Sequence, residues 1–197
     1  MRKALVILVA FLLLTGITFG AEYPIDKGST IISGGFSFTN SSGELYEDEE
    51  GHSTTTLTLA PSVLTFVVPN FAVGGHFQLT RVSQGDANAT GLAIGPKLGY
   101  FVGGPDSKAY PFFGMGFAYL RNTYKVEYDG YWGYEREEYT ISGTKFFFSA
   151  GVAIMVTPHL AIACEGTYNI DNLKPEHGES ASGNSFGILV GLGGFIF

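Results

Sequence analysis

The chain has 197 residues, 15% of them charged, 45% hydrophobic and 15% aromatic, with 28 glycines. That is too apolar for a disordered chain, and the glycines follow no collagen-like period. With 11 Lys+Arg against 18 Asp+Glu the net charge is −7, which argues against nucleic acid as a partner, and the single cysteine, Cys164, excludes an internal disulfide and a Cys-rich zinc site.

Arg2 and Lys3 precede an unbroken apolar run from Ala4 to Leu14, followed by the small-residue stretch Thr15 to Ala21. That is the layout of a secretory signal peptide. The run is shorter than the ~20 residues of a spanning helix. Thr18 and Gly20 suit the positions before a cleavage site, so residues 1–20 are expected to be the signal and 21–197 the mature domain. No cysteine follows the site directly, which argues against a lipid anchor.

Beyond the signal the apolar residues alternate, with no convincing helical period. Turn-rich stretches divide the chain into eight expected strands: 27–40, 53–68, 71–82, 89–102, 110–124, 140–157, 160–170 and 185–197. In the third, Phe71, Val73, Phe77 and Leu79 oppose Ala72, Gly74, His76, Gln78 and Thr80. In the fourth, Leu92, Ile94, Leu98 and Tyr100 oppose Gly91, Ala93, Gly95 and Lys97. The sixth and seventh repeat the pattern, with Phe146, Phe148, Ile162 and Cys164 on the bulky face. One face is large and apolar; the other mixes glycine, alanine and polar groups.

A soluble sandwich points its large residues inward and carries charge outside. Here the small face suits a narrow barrel interior and the bulky face suits lipid. The predicted fold is an all-β, eight-stranded antiparallel up-and-down transmembrane barrel.

Connection lengths agree. Pro69-Asn70, Pro158-His159 and the fairly short 103–109 fall on one side. Longer connections at 41–52, 83–88 and 171–184, with the polar tip between strands five and six, fall on the other. That is the loop asymmetry of outer-membrane barrels. Acidic residues gather in the longer loops, as in Glu47-Asp48-Glu49-Glu50. Pro69-Asn70-Phe71-Ala72-Val73 also echoes Pro158-His159-Leu160-Ala161-Ile162, by duplication or by convergent hairpin chemistry.

Through Pro61-Ser62-Val63 with Phe66, Pro69 to Gly74, Pro111-Phe112-Phe113-Gly114-Met115-Gly116 and the terminal Phe195-Ile196-Phe197, the whole mature chain resembles the small eight-stranded outer-membrane β-barrels of the opacity-protein and OmpA/OmpX type. The resemblance implies a bacterial outer-membrane location amid lipopolysaccharide. It also implies that the barrel-assembly machinery reads the last strand, with Phe195 and Phe197 as the signal; a plain girdle aromatic is the other reading of Phe197. In the family pattern large residues recur at every second position back from the end. Gly193 and Gly191 depart from it, while Phe186, Ile188, Val190 and Leu192 hold the opposite parity. A bulge or parity break near Gly193-Gly194 is therefore expected.

Eight strands enclose an interior that side chains just fill, which disfavours bulk diffusion. His76, Lys97 and Glu165 face inward at similar depth. Two arrangements are open: a Lys97–Glu165 bridge across the lumen with His76 nearby, or separate satisfaction by water and hydroxyls such as Ser62 and Ser149.

Asp129-Gly130 within β-formers is a hairpin signal, so strands five and six are expected to continue as a two-stranded arm. Tyr131 and Trp132 at its tip are candidates for contact with a host or envelope protein. Tyr124 and Tyr139 lower down read as interface girdle. Arg81 and Arg121, at loop-side strand ends, suit lipid phosphate or ordinary rim charge. The acidic run at 47–50 lacks the order of a calcium loop, so neither metal nor cofactor is expected.

His52-Ser53 and His177 to Ser180 are the close His/Ser pairs, both in loops or strand starts, and His159 reads as a turn cap. The sequence thus predicts a non-enzymatic, monomeric barrel whose loops serve envelope structure, surface interaction or adhesion. The alternatives are a lipid A-modifying barrel enzyme, marked by a clustered Ser–His–acid site, and a soluble lipocalin-like barrel, marked by inward Phe146, Phe148, Ile162 and Leu98.

Overall fold

The computed structural model describes residues 22–41, 53–85, 87–130, 133–174 and 181–197. The expected signal segment, the 47–50 acidic run, His52, His177, Tyr131 and Trp132 lie outside the described residues. Eight strands follow in order: β1 (Thr30–Ser41), β2 (Thr54–Val68), β3 (Phe71–Gln84), β4 (Ala87–Phe101), β5 (Ala109–Gly130), β6 (Gly133–Thr157), β7 (Leu160–Lys174) and β8 (Ala181–Ile196). Each pairs antiparallel with the next, and β1 pairs with β8 to close the ring.

The alternation decides which way the sheet curls. Phe77, Leu79, Leu92, Ile94, Phe113, Phe117, Ile154 and Ile162 are all exposed, while Ala72, His76, Ala93, Lys97, Ala118, Phe147 and Ala153 are buried. Small inner residues let eight strands approach a common axis. Gly74 shows how closely: a Cβ there would collide with the Val63 carbonyl of β2.

Both chain ends of the sheet and the short turns lie at one end. Thr30 pairs with Ile196, and the 69–70 and 158–159 turns join β2 to β3 and β6 to β7. Each of these two turns follows a register shift, between Phe66 and Val68 and between Met155 and Thr157. The echo between their sequences thus has a structural counterpart. Asn70 takes φ 72°, and its Nδ2 donates to the carbonyls of Phe101 at 2.8 Å and Gly103 at 3.2 Å, tying this turn to the end of β4.

At the opposite end β5 and β6 pair from Ala109↔Ile154 up to Gly130↔Gly133. Their outer neighbours stop earlier, at Asn88↔Lys125 and Ser142↔Lys174. Past those rows, among the described residues, the two strands pair only with each other and form an arm.

Three expectations are corrected. The connection at 83–88 is not a long loop: Gln84 pairs with Ala87, and Ser83 Oγ donates to Asn88 Oδ1 at 2.9 Å. The positive φ of Gly85 lets the chain reverse there within two residues.

No parity break occurs near Gly193-Gly194. β8 keeps one register against both neighbours from Val190 to Gly194, so Phe195 turns inward at 2% exposure while Ile196 faces out. Large residues on opposite parities are accommodated because the interior itself becomes bulky at this end. Phe197 packs on that interior, its ring 4.6 Å from His159, and is not an outward girdle aromatic.

Tyr124 and Tyr139 are cross-strand partners with rings stacked 5.0 Å apart, and Tyr124 lines the lumen mouth. They do not belong to an outer girdle, because both keep the inner parity of Ala118 and Leu120 on β5 and of Lys145 and Phe147 on β6.

Candidate functional site

The lumen gathers polar side chains from most strands, and it is built in layers. Its short-turn end is plugged by Ile31, Leu64, Phe66, Phe101, Tyr110, Phe112 and Phe195. Phe66 and Phe101 meet edge-to-face at 5.2 Å, and Phe101 stacks on Phe112 at 5.2 Å. Such ring pairs add about 0.5–1.5 kcal/mol beyond the area they bury.

A segment ahead of β1 completes the plug. Ile25 is fully buried among these residues. Its carbonyl accepts from Asn70 N at 2.9 Å, and Gly28 and Ser29 exchange backbone hydrogen bonds with Phe66. Ser29 Oγ donates to the Pro24 carbonyl at 2.7 Å, which holds the short coil closed. No periodicity marks this piece, since a short irregular plug has no period to read.

Above the plug, Lys97 of β4 donates to Glu165 Oε1 of β7 across the lumen at 2.8 Å. Ser33 and Ser62 meet at 2.7 Å beside them, so charged and hydroxyl pairs share the layer. His76 faces the same space, its ring 4.8 Å from that of Phe147, and its Nδ1 has no hydrogen-bond partner among the described residues. The three residues singled out in the sequence are therefore brought together, with His76 beside the pair rather than bonded into it.

A second pair lies nearer the loop end, and the sequence reading missed it. Lys145 of β6 donates to Gln78 Oε1 at 3.3 Å and lies 3.7 Å from Asp171 Oδ1. The signal was available: Lys145 has inward parity and is a register partner of Asp171. The expected strand ends at 170 and leaves Asp171 in a loop, whereas β7 continues to Lys174. A lumen carrying two lysines and two carboxylates is balanced in charge, as burial of ions requires. Between the mouth and the plug lies a cavity of about 440 Å³.

The outer face is chemically opposite. Ile32, Phe36, Phe77, Ile94, Tyr100, Phe113, Phe148 and Val190 form a continuous exposed apolar surface. A water-soluble monomer rarely shows apolar patches beyond a few hundred Å². Phe146, Phe148, Ile162 and Leu98 are all exposed on this surface, which overturns the lipocalin-like alternative that needed them inside.

Arg81 and Arg121 are exposed at its loop-side margin, opposite Thr90 and Leu92 of β4. Lys174 follows across Ser142 in the same row as Arg121. Neither arginine has a carboxylate partner among the described residues.

His159 Nδ1 lies 3.1 Å from the Phe195 carbonyl, a contact that fastens the 158–159 turn to β8. Among the described residues no group of three or more His, Cys, Asp or Glu is placed to hold a metal.

A closed antiparallel barrel, apolar outside and ionic within, defines the class of bacterial outer-membrane barrel proteins. The chain matches the family model of the outer membrane protein beta-barrel domain over residues 10–193, and it belongs to that family. It is a barrel protein of the bacterial outer membrane.

Among solved structures it is similar to Neisserial surface protein A (NspA), at 16% identity and TM-score 0.53, covering 85% of this chain and 97% of that one. It is also similar to Ail, the attachment invasion locus protein of Yersinia pestis, at 14% identity and TM-score 0.48, covering 86% and 99%. The translocator domain of the autotransporter NalP from Neisseria meningitidis gives 16% identity and TM-score 0.49, covering 97% and 69%. No curated protein sequence matches the chain.

Proposed function

We propose that the protein is a small surface barrel of the opacity-protein and OmpA/OmpX type, which spans the outer membrane and displays the β5–β6 arm for contact with host or envelope proteins. The observation that carries this reading is the extension of β5 and β6 to Gly130↔Gly133, beyond every neighbouring strand. Among the described residues this arm pairs with nothing else, so it adds nothing to closure of the barrel. Its tip carries Tyr131 and Trp132, residue types that anchor protein contacts at low entropic cost.

The rest of the molecule supports the same reading. Bulky outward side chains meet acyl chains, and Arg81, Arg121 and Lys174 sit where lipopolysaccharide phosphates lie. The aromatic plug closes the periplasmic end, so the lumen is no diffusion pore. Residues 1–20 are the cleaved export signal. Phe195 and Phe197 are read by the barrel-assembly machinery before Phe195 is sealed into the plug, and the folded chain works as a monomer.

The test is to replace residues 126–137 by a two-residue turn and to express both forms on cells. Heat-modifiable gel mobility reports whether the barrel still folds. Binding of the cells to immobilised host-surface proteins is expected to fall at least tenfold with the arm removed. Unchanged binding by a correctly folded armless barrel overturns the surface-interaction role.

A further inference from the structure

The ring of hydrogen bonds is complete along only part of one seam. β1 and β8 pair from Thr30↔Ile196 to Phe36↔Val190. At the same offset the next partners would be Ser37 with Leu189, Phe38 with Ile188, and onward to Ser41 with Ser185. Those pairs do not form, although β1 continues to Ser41 against β2 and β8 to Ala181 against β7. Two strand edges face each other there without a ladder between them.

The lumen cavity reports the same opening independently. On β2 through β7 it touches inward side chains only, such as Thr58, Gln78 and Lys145. On β8 it is bordered by Ser185, Phe186, Gly187, Ile188 and Leu189 without a break, and on β1 by Ser37. Phe186 and Ile188 belong to the outer face, 71% and 58% exposed. A cavity that touches both faces of one strand passes around its edge. The lumen therefore communicates sideways with the apolar belt, next to Phe38, Phe186 and Ile188.

The two sides of this opening differ in chemistry. Outside, the lining is aromatic and aliphatic. Inside are Lys145 and Asp171, paired loosely at 3.7 Å, with Asp171 Oδ1 and His76 Nδ1 buried and without hydrogen-bond partners among the described residues. The cavity of about 440 Å³ has room for a headgroup but not for a whole two-chain lipid. Strand edges in hydrocarbon also need partners, because each unpaired backbone group there costs several kcal/mol.

We propose that the β1–β8 seam is a lateral binding site for a single-chain zwitterionic phospholipid, its headgroup in the lumen and its acyl chain on Phe186 and Ile188. The phosphate lies toward Lys145 and the ammonium toward Asp171, and phosphate and ester oxygens accept from the free edge N–H groups. This rests on the reading that the bulky face meets lipid.

The experiment uses the full mature chain folded in dodecylmaltoside and a lysophosphatidylcholine carrying a diazirine in its acyl chain. Irradiation followed by peptide mapping is expected to place saturable label on 186–189 and 36–38. Unlabelled lysophosphatidylcholine should displace it, with glycerophosphocholine, which lacks the chain, at least tenfold weaker. Lys145→Gln should raise the half-saturating concentration at least fivefold. Phe186→Ser, which alters an exposed side chain, should do the same where Lys145→Gln fails to fold, and Lys125→Gln should change nothing.

Label spread evenly around the belt without saturation means ordinary boundary lipid and overturns the site. Equal competition by glycerophosphocholine means a soluble ligand reaching the lumen through its mouth, and also overturns it. So does a protein cross-linked along the seam with the lipid excluded. Heat-modifiable mobility in the same samples reads separately whether the chain is a membrane barrel at all.

Discussion

The two ends of the lumen obey one alternation and fill it with opposite chemistry. At the short-turn end the inward positions carry Phe66, Phe101, Phe112 and Phe195, closed off by Ile25 from outside the sheet. Toward the loop end they carry Gln78, Lys145, Asn169 and Asp171 around an open cavity. Period two therefore says which residues share a face, and nothing about whether that face is dry. A plugged end is dry because aromatics from several strands meet there with no water to displace. An open end keeps its ions because each lies near an opposite charge or an amide.

The contrast yields three tests, each read as unfolding free energy by urea titration of the barrel in lipid vesicles. Lys97→Met leaves Glu165 buried without its cation and is expected to cost about 3–5 kcal/mol. The double change Lys97→Met with Glu165→Leu should recover most of that loss, since it removes the charge left behind. If the double variant is as unstable as the single, the pair is not an isolated ionic unit and the ionic layer has been misread.

Ile25→Ala removes the capping side chain of the dry end and is expected to cost about 2–4 kcal/mol, the cost of a cavity in a packed core. A loss below about 0.5 kcal/mol would mean that the segment before β1 only lies against the plug.

Asn70→Ala should have the smallest effect, about 1–2 kcal/mol. It removes two donated hydrogen bonds and places a Cβ residue with no compensating side-chain bond at positive φ. Asn70→Gly should restore the backbone part alone, which separates the turn's conformational cost from its tie to β4.

Legibility in the sequence followed periodicity closely. The number of strands, their order of alternation and the inward positions of His76, Lys97 and Glu165 all came from parity, which survives any twist of the sheet. Strand ends were less legible. Ser83, Gln84 and Asp171 look like loop residues by composition, yet they pair, because polar side chains are no obstacle to a ladder at the open end of a lumen. The parity of β8 was not legible, because Phe195 and Phe197 sit on the opposite parity from Phe186 to Leu192 and so suggest a break that the register does not show. Nothing local in Gly193-Gly194-Phe195 says that the interior has room for a ring there.

The chain by itself determined the alternation, the shortness of the turns at Pro69-Asn70 and Pro158-His159, and the concentration of bulk on one face, since these depend only on neighbours along the strand. The tertiary structure alone decided that Ile25 enters the plug, that Lys145 finds Asp171, and that β1 and β8 part above Phe36 and Val190. Those outcomes depend on closure, which brings together strands from opposite ends of the chain at a stagger no local pattern encodes.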